Sequence, residues 1–272
     1  MTEDLAIKAE HVYLNLDPST GRPAVLARSS GISPTHIAEC NYVFPVRQDA
    51  PDTGSLMLAA GDTERYVLIH HGLNESGSAQ THYLFFPKTA VDNLAGAYAA
   101  LAKLFPQRQP DFSANQTIPA FEATVPAGRS GEAVRELVAF CGENYDVLRA
   151  LLSATVQGDL VTICGSTEPL EKRLAVITGI LQLLPAPVRS EFAFATHGAA
   201  AKKDTIRFLD TQPDPADGGL IYDRTQGALS GQTSPNAYSD YIIYTFLFGI
   251  KEPFTGGIIT WYPHAQPFLF WM

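Results

Sequence analysis

The chain has 272 residues, of which 46% are hydrophobic and 17% charged, with a formal net charge of −9. That length accommodates one large domain or two packed subdomains with a well-buried core, and the composition is globular rather than disordered. The charge argues against a nucleic-acid reader, because phosphate contacts need clustered basic residues and the densest groups, Lys202-Lys203 and Lys172-Arg173, are too short to form a patch.

The first 90 residues read as β-rich. HVYLNLD (11–17) and PAVLARS (23–29) flank a polar turn with Pro18 and Gly21, a hairpin signal. Ser33-Pro34 forms an N-cap and first-turn pair for a short helix. SLMLAA (55–60) and ERYVLIHHG (64–72), separated by Gly61-Asp62-Thr63, read as a second hairpin, and QTHYLFFP (80–87) completes this set of strands. Val91, Leu94, Ala95, Tyr98, Leu101, Ala102 and Phe105 keep helical spacing, so one helix is predicted up to Pro106.

Residues 106–120 read as a long connection, a candidate subdomain boundary, followed by helices over 131–142 and 144–156. GDLVTIC (158–164) is a short buried strand. The segment 166–185 is an amphipathic helix with Thr167 as N-cap, Pro169 in its first turn and a stripe of Leu170, Leu174, Ile177, Leu181 and Leu184. EFAFAT (191–196) returns as a strand, which makes a βαβ unit with parallel strands. Further strands are predicted at 205–210, 219–223 and 257–263, with a turn over 214–219. YSDYIIYTFLFG (238–249) is apolar on every face and fits a buried helix or a strand. The apolar end PFLFWM (267–272) implies burial in the core, contact with a partner, or continuation into a longer protein.

The N-terminus MTEDLAIKAE carries acids where a signal peptide carries positive charge, and no stretch reaches the roughly 18 apolar residues of a membrane span. Cys40, Cys141 and Cys164 are widely spaced with no CxxC, which favours reduced thiols. A cytoplasmic protein is expected.

The candidate chemistry is sparse. The strand–helix turn CGSTEP holds one glycine and no lysine, and neither GxGxxG nor GxxxxGK[ST] occurs anywhere, which argues against a nucleotide-binding loop and against a bound cofactor. His70, His71 and His82 lie close on neighbouring predicted strands. Adjacent strand residues face opposite ways, so only one of the first two can join His82, and His70 with His82 is the candidate metal pair. GxSxG is absent. Cys164 ends a strand before a helix and His197 ends the strand across the βαβ unit. If those strands lie side by side, both residues reach the carboxyl edge of the sheet, where open α/β folds bind ligands. A Cys164–His197 pair, oriented by Asp204 or Glu168, would then be a cysteine hydrolase or peptidase site. A buried cysteine that only packs is the commoner case.

Several segments together resemble the N-terminal domain of the bacterial GTPase-associated proteins of NTP-dependent conflict, or defence, systems. The likeness is carried by VYLNLDPSTGRPAVLARSSGIS, by RYVLIHHGLNE leading to QTHYLFFPKTAVDNLA, and by LEKRLAVITGILQLLPAPVRSEFAFATHG, in order over roughly residues 10–225. The resemblance implies that His82, Arg189, Phe192, Phe194 and Thr196 are structural signature residues. It also implies a non-catalytic adaptor or regulatory module whose partners are a separate GTPase and effector proteins.

The expected fold is a mixed α/β protein: a β-rich part with its closing helix (1–105), a helical and βαβ part (118–225), and an unassigned apolar segment (226–272). The rival readings are the hydrolase above and a small-molecule sensor with a pocket near Thr196 and His197.

Overall fold

The computed structural model describes residues 4–42, 54–61, 65–94, 96–126, 131–184, 189, 192–198, 205–213, 218–231, 233–234 and 236–248. Asp204, Lys202-Lys203, residues 214–217 of the expected turn, the strand expected at 257–263 and the apolar end 267–272 lie outside the described residues.

The fold is a mixed α/β architecture built on one large sheet. Its strands are β1 (Asp4–Leu16), β2 (Pro23–Ser29), β3 (Ser55–Ala60), β4 (Arg65–Leu73), β5 (Ala79–Pro87), β6 (Gln116–Ile118), β7 (Phe121–Pro126), β8 (Val161–Cys164), β9 (Phe194–Ala195), β10 (Ile206–Leu209), β11 (Leu220–Asp223) and β12 (Ala228–Gly231). They run in the order β12-β11-β8-β10-β9-β3-β4-β5-β1-β2-β6, with β7 on the first half of β1. The strands from β11 to β9 are parallel, and those from β9 to β2 alternate in direction.

The helices are α1 (Pro34–Tyr42), α2 (Lys88–Leu94), a 3-10 segment (Tyr98–Leu104), α3 (Gly131–Phe140), α4 (Tyr145–Gln157), α5 (Leu170–Gln182) and α6 (Ala237–Phe248). Alternation along the strands divides the interior. Leu56, Leu58, Leu68, Leu84, Ile163, Phe194 and Phe208 face one way into the main core with Leu151, Leu174, Ile177 and Leu181 of the helices. Val12, Leu14, Val67, Ile69, Tyr83 and Phe85 face the other way, into a smaller core closed by Ile32 and Cys40. Each fully buried aliphatic side chain contributes about 1.5–3 kcal/mol.

Four expectations are corrected. The helix read through to Phe105 breaks after α2, because Gly96 takes a left-handed φ of +87°. A Cβ there would stand 3.1 Å from Leu181 Cβ, so the break lets α5 approach closely. The stretch 106–120 is no simple linker, since β6 lies within it and β7 follows to pair with β1. The α5 N-cap is Pro169 rather than Thr167. The strands of the βαβ unit, β8 and β9, are not neighbours, because β10 inserts between them and pairs with both. The ambiguous segment is a helix, α6, whose Ser239 Oγ meets Ser153 Oγ of α4 at 2.5 Å.

Candidate functional site

The parallel strands carry their chemistry at the carboxyl edge, where β8 ends in Cys164 and β9 runs out into Thr196 and His197. Thr196 locks this end of β9 to β3. Its N–H donates to Leu56 O at 2.9 Å, and its Oγ1 accepts from Leu56 N at 2.8 Å. Phe194 turns into the main core against Tyr98, with ring centres 5.2 Å apart, and Phe192 is buried in the same core.

Arg173, one turn into α5, reaches back over this edge. Its Nε donates to Glu168 O at 2.9 Å, Nη1 to Thr196 O at 2.7 Å and Nη2 to Ser166 O at 2.7 Å. The same guanidinium stands 3.6 Å from Asp210 Oδ1, while Asp210 Oδ2 lies 3.4 Å from His197 Nδ1. Burial lowers the Arg173 pKa, and the Asp210 charge opposes that shift. Glu168, Leu170, Arg173, Thr196, His197 and Asp210 border a cavity of about 170 Å³. Asp210 is the acid that meets His197. Glu168 instead pairs with Lys172 at 3.6 Å.

Cys164 is not brought to His197. β10 separates their strands, which puts two interstrand spacings, about 10 Å, between the backbones. Cys164 is fully buried, and burial, with the Asp223 charge second, raises its thiol pKa. A buried thiol held protonated is a poor nucleophile.

Arg189 is 2% exposed and caps the end of α5, donating from Nε to Leu184 O at 2.7 Å and from Nη2 to Gln182 O at 3.3 Å. It satisfies carbonyls that the last turn leaves without helical partners.

His70 and His82 do face each other across β4 and β5. Sequence reading missed the third member, His11 of β1. Its Nε2 lies 2.8 Å from Pro119 O, a pure acceptor, so this nitrogen carries the proton. His11 Nδ1 therefore accepts from His82 Nε2–H at 2.8 Å. His70 Nδ1 accepts from Gln109 Nε2 at 3.2 Å. Tyr13 stacks on His82 at 3.9 Å and Phe105 on His70 at 4.5 Å. Burial lowers all three pKa values, His70 to about 3 and His82 well below its usual value. The imidazoles are neutral and tie the 105–119 segment to the sheet. Among the described residues, no group of three His, Cys, Asp or Glu could hold a metal ion. The alternation of His11 and Tyr13 with Val12 and Leu14 was the available signal, but it needed the β1–β5 register to be read.

Among the described residues no helix is long and apolar enough to cross a membrane. No family model matches the chain, and no curated protein matches it.

Proposed function

We propose that this chain is a non-catalytic adaptor or regulatory module that binds a separate GTPase, the role implied by its resemblance to the GTPase-associated conflict-system proteins. The observation that best supports this is the state of the sheet's carboxyl edge. Cys164 is buried two strands from His197, and Arg173 spends its donors on three backbone carbonyls. The thiol that would carry nucleophilic chemistry is thus out of reach of its histidine, and Arg173 ties the end of β9 to the start of α5. A tagged pull-down from the host with GTP or GDP added tests the reading. Recovery of a GTPase with nucleotide-dependent yield supports it, and a partner-free chain under both conditions contradicts it.

The cavity beside His197 favours a second reading, a small-molecule sensor. A ligand seated between Glu168, Arg173 and Asp210 would raise the melting temperature of the wild type and not of Asp210→Ala.

A further inference from the structure

The far end of the sheet carries a feature that the carboxyl edge does not explain. β12 is the terminal strand, paired with β11 on one side, and among the described residues no strand pairs with its other edge. All four of its residues are exposed. In an antiparallel ladder every second residue turns its N–H and C=O outward, so the four-residue β12 offers two outward-facing residues with a backbone donor and acceptor each. Terminal strands are commonly guarded by Lys, Pro or a bulge. The β12 sequence ALSG contains neither residue, and its register with β11 runs unbroken from Leu220–Gly231 to Asp223–Ala228.

The register also sorts the side chains. Ile221 with Ser230, and Asp223 with Ala228, lie on the face away from the helices, while Tyr222 with Leu229 lies on the helical face. On the first face a cleft of about 680 Å³ is bordered by Asp159, Gln212, Asp223, Gln226, Ser230 and glycine backbone, with Ile221 and Ala228 among its walls. Among the described residues two carboxylates border it, and no Lys, Arg or His does. Arg224 lies over the Phe140 ring at 5.2 Å on the helical face, while Arg207 shares the cleft's face two strands away, where it donates to Thr162 Oγ1 at 3.0 Å. Asp223 is held ionised, its pKa lowered first by the hydrogen bond from Gln212 and then by backbone N–H groups of the following turn. On the opposite face Leu229 is one of the few large apolar side chains left exposed.

We propose that β12 is a docking edge for an extended, basic segment of a partner protein, which adds to the sheet as a further strand. Backbone pairing along β12 supplies the affinity, and side-chain alternation supplies the selectivity. Lys or Arg residues of the segment face the Asp159–Asp223 cleft, and the apolar residues between them pack beside Leu229. The inference rests on the adaptor reading and names the chemistry its partner presents.

The probe is a labelled ten-residue peptide of alternating Arg and Val, titrated into the full chain at low salt and followed by fluorescence anisotropy. Saturable binding is expected, with Kd rising at least tenfold for Ser230→Lys, falling for Ser230→Glu, and rising for Asp159→Asn. Circular dichroism checks that each variant keeps its fold. A control peptide with proline at every third position, carrying the same charge, should bind at least tenfold more weakly. Equal binding of that control reduces the effect to attraction towards an acidic protein and overturns the proposal, as does indifference to Ser230→Lys. Tighter binding of a GIITWYP peptide than of the basic one assigns the edge to a copy of this chain's own 257–263 segment and also overturns it. The two readings fail separately. A GTPase captured undiminished by Ser230→Lys removes the edge but keeps the adaptor, whereas no capture by the wild type removes the adaptor whatever the peptides do.

Discussion

Acidification from about pH 7.5 to 5 should destabilise the fold in the amount set by its buried imidazoles. His70 and His82 are 3% exposed and face each other between β4 and β5, under Phe105 and beside His11 and Tyr13. An imidazole that stays neutral in the native state but protonates near 6.5 when unfolded makes the unfolded chain the stronger proton binder below 6.5. Stability is then full above that pH and lost as pH falls through it. Each such group contributes a slope approaching 1.4 kcal/mol per pH unit, or about 2 kcal/mol over this interval. His70 gives that full amount, a sizeable part of a typical total stability, and His82, held well below its usual value by burial, adds in the same direction. His11 adds in the same direction through its burial, opposed first by its hydrogen bond to the Pro119 carbonyl and then by the nearby Glu10 charge. Urea unfolding followed by circular dichroism at several pH values reads the slope. His70→Gln, whose amide oxygen can still accept from Gln109, should lower that slope by about one proton's worth, because a packing defect alone would offset all pH values equally. An unchanged slope, or an NMR titration of His70 near 6.5, would refute the burial argument.

Other outcomes follow from single contacts. Gly179→Ala should destabilise by about 1–3 kcal/mol by overpacking, reversing the usual gain of an alanine in a helix. The added Cβ would meet Ala133 O at 2.4 Å where α3 crosses α5, and stabilisation in a thermal melt would contradict that crossing. Thr196→Val should cost about 1–3 kcal/mol, because the buried Leu56 N–H loses its acceptor. A denaturant midpoint equal to wild type would show that the β9–β3 junction does not depend on that hydroxyl. Cys164 in the native chain should react with a maleimide far more slowly than an unfolded thiol, and rapid labelling located to Cys164 by mass spectrometry would revive the cysteine-hydrolase reading.

Local signals carried most of the elements. The turn around Gly21, the Ser33-Pro34 helix start and the stripe of α5 all lie where propensity and period place them. What escaped was long-range. β7 is a six-residue strand whose partner is the chain's own beginning, so nothing local distinguishes it from the loop before it. The insertion of β10 between β8 and β9 is likewise a matter of topology. Periodicity gives parallel strands but not their order, and that order decides whether Cys164 meets His197. His11 was invisible for the same reason, since its two partners, His82 and Pro119, lie far along the chain. Asp210 could have been found, because it follows β10 directly at the same carboxyl edge as His197.

If this chain works by binding a GTPase, as we propose, and not by chemistry at the carboxyl edge, Cys164 and His197 are dispensable for capture. The most direct test measures GTPase recovery by tagged wild type, Cys164→Ala and His197→Ala in parallel, with fold checked by circular dichroism. Nucleotide-dependent recovery that is the same for all three is expected. Recovery and biological effect lost with either alanine in a folded protein would contradict the proposal.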